Sequence, residues 1–272
     1  MMKFTKSTLV LLALMLVPAL ALAQSKAPAP QDTTLADGEK TRFAENILLP
    51  SPAEVFVALG KVGDADWNAA ASYSRKYDYA SNPARALNLG VRAADGFLAI
   101  QAKDKTRLGE MITVIMTLAE ELLVQKTLLD KSKTFEDLAK QEKWGEVRQE
   151  LDRLRGDVEA EMRRLGDDDT ALLVSAGGWL EGLKATTKVL MSKYDEASSS
   201  VLYQPRLVDY FAEKLAGLTP EARKNPAVGA LLAKLPEIKT LIDVGYQRPV
   251  PRESLAKLNA ISTEIIKTIE KG

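Results

Sequence analysis

A chain of 272 residues without a single histidine or cysteine has few ways to do chemistry. Ser-His-Asp and Cys-His catalysis, thiol redox reactions, haem attachment and ordinary zinc sites all need one of those two residue types. A P-loop is missing, and Gly90 and Gly96 fall in the middle of a helical pattern with no strand pattern before them, so no dinucleotide fingerprint is formed. Carboxylate, lysine and serine chemistry remain. The densest carboxylates lie in "GDDDT", Gly166 to Thr170. Oxygen ligands so close together could hold a divalent cation. They also suit a helix N-terminus, where side-chain oxygens accept from free backbone N–H groups and negative charge meets the positive end of the dipole. The cap accounts for the whole run. Glu253-Ser254 has the same reading, because a first-turn acid is expected after "RPVP".

Two sets of residues could bind rather than react. In "SAGGWLEG", residues 175–182, three glycines and a tryptophan interrupt an apolar helix. Each interior glycine costs about 1 kcal/mol relative to alanine, so something must compensate. "AADGFLAI", residues 93–100, has the same succession of Gly, aromatic and Leu. Gly96, Phe97, Gly178, Trp179 and Gly182 thus form a candidate site. They mark either a close helix crossing, with a side chain at Gly178 forcing the helices apart, or room for a ligand beside Trp179. The second set lies in "YSRKYDYASNPAR": Tyr73, Arg75, Lys76, Tyr77, Tyr79 and Arg85 have the composition of a protein-binding surface. It is equally the composition of a helix corner with half-buried tyrosines.

The elements that carry these residues read as helices throughout, and the expected fold is all-α. A helix from Ser51 has Pro52 at N1 and Glu54 at N3, and a second begins near Asp66 in "DADWNAAASYSRKY". Asn82 and Pro83 open a third. A fourth runs from Lys105 to about Val124, and "KSKTFEDLAKQEK" is a short fifth. From Trp144 to Leu165 the apolar residues step by three or four along a charged cylinder, the pattern of an outer helix packed on one seam. Asp167 to Asp169 start a long helix to about Tyr194. Pro205 and Pro226 start two more, with Pro236 expected to kink or split the latter, and Leu255 to Ile269 form the buried stripe of the last.

Three landmarks recur in order: Phe56 and Phe135, Trp67 and Trp144, Gly96 and Gly178, at offsets of 79, 77 and 82 residues. They suggest antiparallel helical hairpins in a degenerate two-unit repeat, a bundle or short solenoid-like array. The units would cover about 51–126 and 130–200, followed by C-terminal helices over 205–271. A tryptophan opening a helix after a polar turn is similar to the start of a tetratricopeptide hairpin. That consensus asks for Leu-Gly and then Tyr, where this chain has Ala70, Ala71 and Ser74 after Trp67, and Val147, Arg148 and Leu151 after Trp144. The likeness stops at helical-hairpin architecture.

The N-terminus addresses location. Lys3 and Lys6 precede the apolar run Leu9 to Ala23, which ends in small residues before Gln24. This is the pattern of a secretory signal peptide over 1–23, and the run is too short and too interrupted by Pro18 for a membrane span. Residues 24–45 read as a flexible spacer rich in Ala and Pro, and 46–272 as the helical domain. Removing Lys3 and Lys6 leaves 35 basic against 37 acidic residues, a balance that gives no electrostatic case for nucleic acid. The sequence therefore predicts an exported, non-catalytic binding or scaffold protein of a bacterial-type periplasm or cell envelope. It implies no cofactor and no metal, an envelope protein or component as partner, and no transmembrane segment after signal cleavage. The alternatives are a carrier holding an apolar or aromatic small molecule between the two halves, and a carboxylate-dependent hydrolase.

Overall fold

The computed structural model describes residues 65–124 and 132–272; the signal-peptide pattern, the spacer and the helix expected at Ser51 lie outside the described residues. Among those described, every regular element is helical and no strand occurs. In chain order they are α1 (Trp67–Ala70), α2 (Asn82–Gln101), α3 (Lys105–Glu121), α4 (Ser132–Lys140), α5 (Trp144–Arg164) and α6 (Asp168–Ser192). Then follow α7 (Glu196–Ser199), a 3-10 turn (Ser200–Leu202), α8 (Pro205–Ala216), α9 (Pro220–Arg223), α10 (Pro226–Ile242) and α11 (Arg252–Lys271).

The bundle is built around α2 and α6, the most extensively packed pair. A helix apolar on all sides must be covered on all sides: α2 is buried without a break from Ala86 to Ile100, and α6 is buried over most of its surface. Helix α3 covers one side of α2, α5 lies across both, α11 packs on α6, and α8 and α10 close the C-terminal side. The outer helices show the narrow stripes that such positions need. In α5 the buried residues include Val147, Leu151, Leu154, Val158 and Met162, while Leu165, just past the last turn, is exposed. In α11 they include Leu255, Leu258, Ile261, Ile265 and Ile269.

Local punctuation fixes most boundaries. Asp167 is the N-cap of α6, its Oδ1 accepting from Thr170 N at 3.2 Å. Ser81, rather than Asn82, caps α2, and Pro83 sits within its first turn. Pro236 does not split α10. It faces solvent, so the Leu232 carbonyl that loses its helical donor remains on a half-exposed side, while Leu231, Leu235 and Ile238 hold the buried side together.

One element departs from its sequence pattern. The helix begun at Asp66 stops at Ala70 after a single turn, and residues 71–79 continue without regular structure. The cause is a distant carboxylate. Asp95 accepts from the backbone N–H groups of Ser72 and Tyr73, each at 3.0 Å. Those two donors are thereby withdrawn from a helical ladder, and Tyr73 adopts φ 48°, a left-handed conformation that no L-residue helix continues.

The repeat landmarks occupy different settings. Trp67 opens a one-turn helix and Trp144 a helix of 21 residues. Phe56 lies outside the described residues.

Candidate functional site

The glycines of α2 and α6 divide into those that make a contact and those that leave a space. A β-carbon on Gly90 would fall inside the Val174 carbonyl, and one on Gly177 inside the Leu87 carbonyl. Here the two helices touch backbone to backbone, which side chains would prevent. Gly178 stands next to this contact, its β-carbon position 3.3 Å from the Gly90 oxygen. Gly182, one turn further along, would meet nothing within 4 Å. Gly96 does not take part in the crossing: it faces the Leu151 side chain of α5, 3.2 Å from its β-carbon position. Gly90 and Gly177, not Gly96, are the partners that give Gly178 its place.

Beyond the crossing the two helices border a cleft that opens to solvent, with a cavity volume of about 70 Å³. Gly90, Ala93, Gly178 and Gly182 line it from the two central helices, and their small size creates the room. Trp179 and Phe211 supply an aromatic wall, with ring centroids 5.0 Å apart and a tilt of 35°. Val174, Leu183, Leu202, Leu207 and Ile242 add apolar surface. Phe97 is buried in the core and does not line the cleft.

Few polar groups face this space. Arg155 and Glu159 of α5 pair at 2.9 Å, and Arg155 also reaches Asp152 at 3.4 Å. Thr186 is fully buried on the cleft wall, four residues after Gly182 and thus on the same side of α6. Neither its Oγ1 nor the Arg155 Nε has a hydrogen-bond partner.

Elsewhere on α6 lies a second polar group of opposite character. Arg92, Asp95 and Glu181 are fully buried, and Lys184 nearly so. Arg92 binds Asp95 Oδ2 at 3.1 Å, Glu270 Oε1 of α11 at 2.5 Å and the Ser74 carbonyl at 2.9 Å. Lys184 Nζ donates to Ser72 Oγ at 2.5 Å and contacts Glu181 at 2.6 Å, while the Ser72 hydroxyl lies 3.3 Å from both Glu181 oxygens. Burial pushes the Glu181 carboxyl up to about 8; the Asp95 charge adds to the rise and Lys184 opposes it. Asp95 is raised as well, by burial first, with Arg92 and Lys184 pulling it back. The carboxyl pair therefore keeps a proton at neutral pH, which leaves one negative charge shared between two buried groups. Its chemistry is anchorage. The cluster fastens the segment 71–79 and the end of α11 to the central helices, and Arg92, Asp95 and Glu181 do not line the cleft.

The tyrosine and arginine segment is largely occupied within the chain. The Tyr73 hydroxyl donates to Asn68 Oδ1 at 2.8 Å under Arg107, and Arg75 pairs with Glu110 at 3.1 Å. Lys76 donates to the Lys271 carbonyl at 2.8 Å and lies over the Tyr79 ring, which is buried. Arg85 binds Asn82 and Glu121. Tyr77 alone of the six is an exposed large apolar side chain. The acidic run is similarly engaged with backbone: Asp167 caps α6, and Asp169 accepts from Thr219 N at 3.0 Å, tying the start of α9 to it.

Sequence reasoning located Trp179, Gly178 and Gly182 but missed Gly90, Phe211, Arg155 and Thr186, which three other stretches of chain and a later turn of α6 bring to the same cleft. Only Gly90 carried a signal, as a glycine interrupting an apolar run. Compared with known proteins, the chain matches no family model, and no curated protein or solved structure proved similar to it. Fold and site together define an all-α bundle with an apolar cleft. No helix among the described residues is long and apolar enough to cross a membrane.

Proposed function

We propose that this is an exported, non-catalytic helical binding protein, and that it holds an apolar or aromatic small molecule in the cleft beside Trp179. The observation that carries the reading is the open space over Gly182: a glycine that touches no neighbour still costs helix stability, about 1 kcal/mol against alanine, and the volume it preserves faces the Trp179–Phe211 wall. Export rests on the signal-peptide pattern at Lys3 to Ala23. A protein-docking role would draw on an exposed tyrosine and arginine surface, and five of those six side chains are engaged or buried within the chain. A hydrolase would need convergent carboxylates in the cleft, where Glu159 is paired with Arg155.

The test is binding of N-phenyl-1-naphthylamine, an uncharged aromatic probe whose emission rises in apolar surroundings. Wild-type protein is expected to bind it saturably. Gly182→Leu, which places a side chain in open space on a helix that tolerates it, is expected to lose at least tenfold in affinity while remaining as stable as wild type. Equal binding by both proteins, or none by wild type, overturns the cleft reading. N-terminal sequencing of exported protein, expected to begin at or near Gln24, tests the location.

A further inference from the structure

We infer that residues 71–78 form a strap that is shut at low pH and opens with increasing ease as pH rises, and that its latch is the buried cluster of Arg92, Asp95, Glu181, Lys184 and Glu270. None of these groups lines the cleft, so the inference goes beyond the function proposed above and does not rest on it.

The first observation is how the strap is held. Buried side chains fix it at both ends, Ala70 and Tyr79, each 2% exposed. Between them no residue is buried, and only the half-buried Ala71 and Tyr73 add apolar contact with the core. The remaining hold is polar. Asp95 accepts from the N–H groups of Ser72 and Tyr73, and Arg92 donates to the Ser74 carbonyl. Lys184 donates to the Ser72 hydroxyl, which lies against Glu181, and Lys76 donates to the Lys271 carbonyl at the end of α11. A segment with so little buried apolar surface opens at lower cost than the helices beneath it.

The second observation is the balance of charge. Among the described residues two cations, Arg92 and Lys184, meet three carboxyls, Asp95, Glu181 and Glu270. The strap contributes a hydroxyl and backbone groups but no further charge: Arg75 pairs with Glu110, Lys76 is turned to the Lys271 carbonyl, Asp78 is exposed, and the Tyr73 hydroxyl donates to Asn68. With every carboxyl ionised, the cluster would hold one uncompensated negative charge away from water, which is costly. One carboxyl therefore keeps a proton. Glu270 is partly exposed, whereas Asp95 and Glu181 are fully buried, so the proton belongs to that pair. The Glu181 carboxyl, pushed up to about 8 by burial first and by the Asp95 charge second, agrees with this placement.

Loss of that proton sets a second negative charge beside the first, and water must then reach the pair. Helices α2, α6 and α11 cover it through long buried seams, while the strap covers it at Ser72 through polar contacts alone. The strap is the cover that moves most easily. In the shut state the pair holds its proton to about 8, and in the open, hydrated state it releases it near 4.5. The open state thus binds fewer protons between those values, so opening becomes easier as pH rises through them and changes no further above. A single proton limits the change to about tenfold per pH unit.

Amide hydrogen exchange of the whole protein between pH 5 and pH 9 tests the strap. Each rate is divided by that of an unstructured peptide of the same sequence at the same pH, so that base catalysis cancels. The N–H groups of Ser72 and Tyr73, which Asp95 engages, are compared with those of Leu180 and Ala185 inside α6. The strap amides are expected to be at least tenfold less protected than those of α6 at every pH. Their protection should fall by up to about tenfold per pH unit as far as pH 8 and then level. Equal protection in the strap and in α6 would mean that the strap opens only when the whole protein unfolds, and overturns the inference. Protection that does not change with pH overturns it as well. Glu181→Gln cannot titrate and is expected to flatten the profile; an unchanged slope in this variant removes Glu181 from the latch and overturns the proposal. Ser72→Ala alters a strap side chain alone and serves if Glu181→Gln does not fold. Tyr73 should then lose protection about tenfold at every pH, the order of one hydrogen bond, and an undiminished protection overturns the latch.

Discussion

Helix α6 takes part in two buried polar groups that solve the same physical problem in opposite ways. Around Glu181 and Lys184 the chain has brought opposite charges and donors together: Arg92, Asp95, Ser72 and Glu270 come from three other stretches of sequence, and distances of 2.5 to 3.3 Å link them. Around Thr186 the same helix holds a buried hydroxyl without a partner, and the buried Nε–H of Arg155 on α5 has none either. A buried network that is paired holds elements in one arrangement. A polar group left without a partner holds nothing in place and costs stability instead. The contrast teaches that burial of polarity alone does not mark a functional site. The state of its hydrogen bonds distinguishes a group that fastens elements together from one that does not.

The largest effect expected on the anchor side is from Lys184→Met. Removing one partner of a buried ion pair leaves the carboxyl pair with Arg92 as its one remaining cation in the cluster, at a cost of about 3–5 kcal/mol in stability. Combining it with Glu181→Leu should recover most of the loss, since an apolar pair of similar volume in place of buried charges is close to neutral. Urea denaturation of the single and double variants checks this. If Lys184→Met is harmless, the cluster is not the anchor described here.

The glycines sharpen the comparison at the next magnitude. Gly177→Ala must separate two backbones, and overpacking of this kind costs about 1–3 kcal/mol, more than the helix propensity of alanine returns. Gly178→Ala, with 3.3 Å to the Gly90 oxygen, should lie near neutral as the two effects offset each other. The expectation from sequence placed the clash at Gly178; the structure moves its centre one residue back. Thermal melts of the two variants decide the order.

The titration of the cluster gives a pH signature. The Glu181 carboxyl keeps its proton to about 8 in the folded protein, whereas an unfolded chain releases it near 4.5. Between those values the folded state binds more protons than the unfolded one, so the contribution of Glu181 to stability falls as pH rises from about 4.5 to about 8 and is constant above. The slope for a single group is at most about 1.4 kcal/mol per pH unit. Denaturant melts at pH 5, 7 and 9 should show this slope in wild type and its loss in Glu181→Gln. Equal slopes would place the retained proton elsewhere.

The smallest effect belongs to the cleft side. Gly182→Ala adds a methyl group to open space, so stability should rise by up to about 1 kcal/mol through helix propensity alone. A loss would mean that the space over Gly182 is not open. Three glycines within six residues are thus expected to respond with a loss at Gly177, near neutrality at Gly178 and a gain at Gly182.

How much of this the sequence disclosed follows the range of the forces involved. Helix positions and most of their ends were legible, because caps and apolar periodicity act within about one turn: Asp167 caps α6 as its place before an apolar run requires, and the seam of α5 follows from spacing alone. The same reasoning failed at residues 71–79, which have helical composition, because Asp95, 23 residues away from Ser72, takes their backbone donors. Trp179 and Gly182 were visible as residue types in an unusual place. That Gly182 opens on a cleft while Gly177 closes a crossing was not visible, because the difference depends on which neighbour stands opposite. Glu181 and Lys184 carry no local sign of burial in the sequence. Only packing against α2, α11 and the segment at Ser72 excludes water from them, and only that exclusion turns ordinary side chains into a paired anchor. Local chemistry determined the helices; the meeting of distant stretches, by removing solvent, decided which polar groups are paired and which are left without a partner.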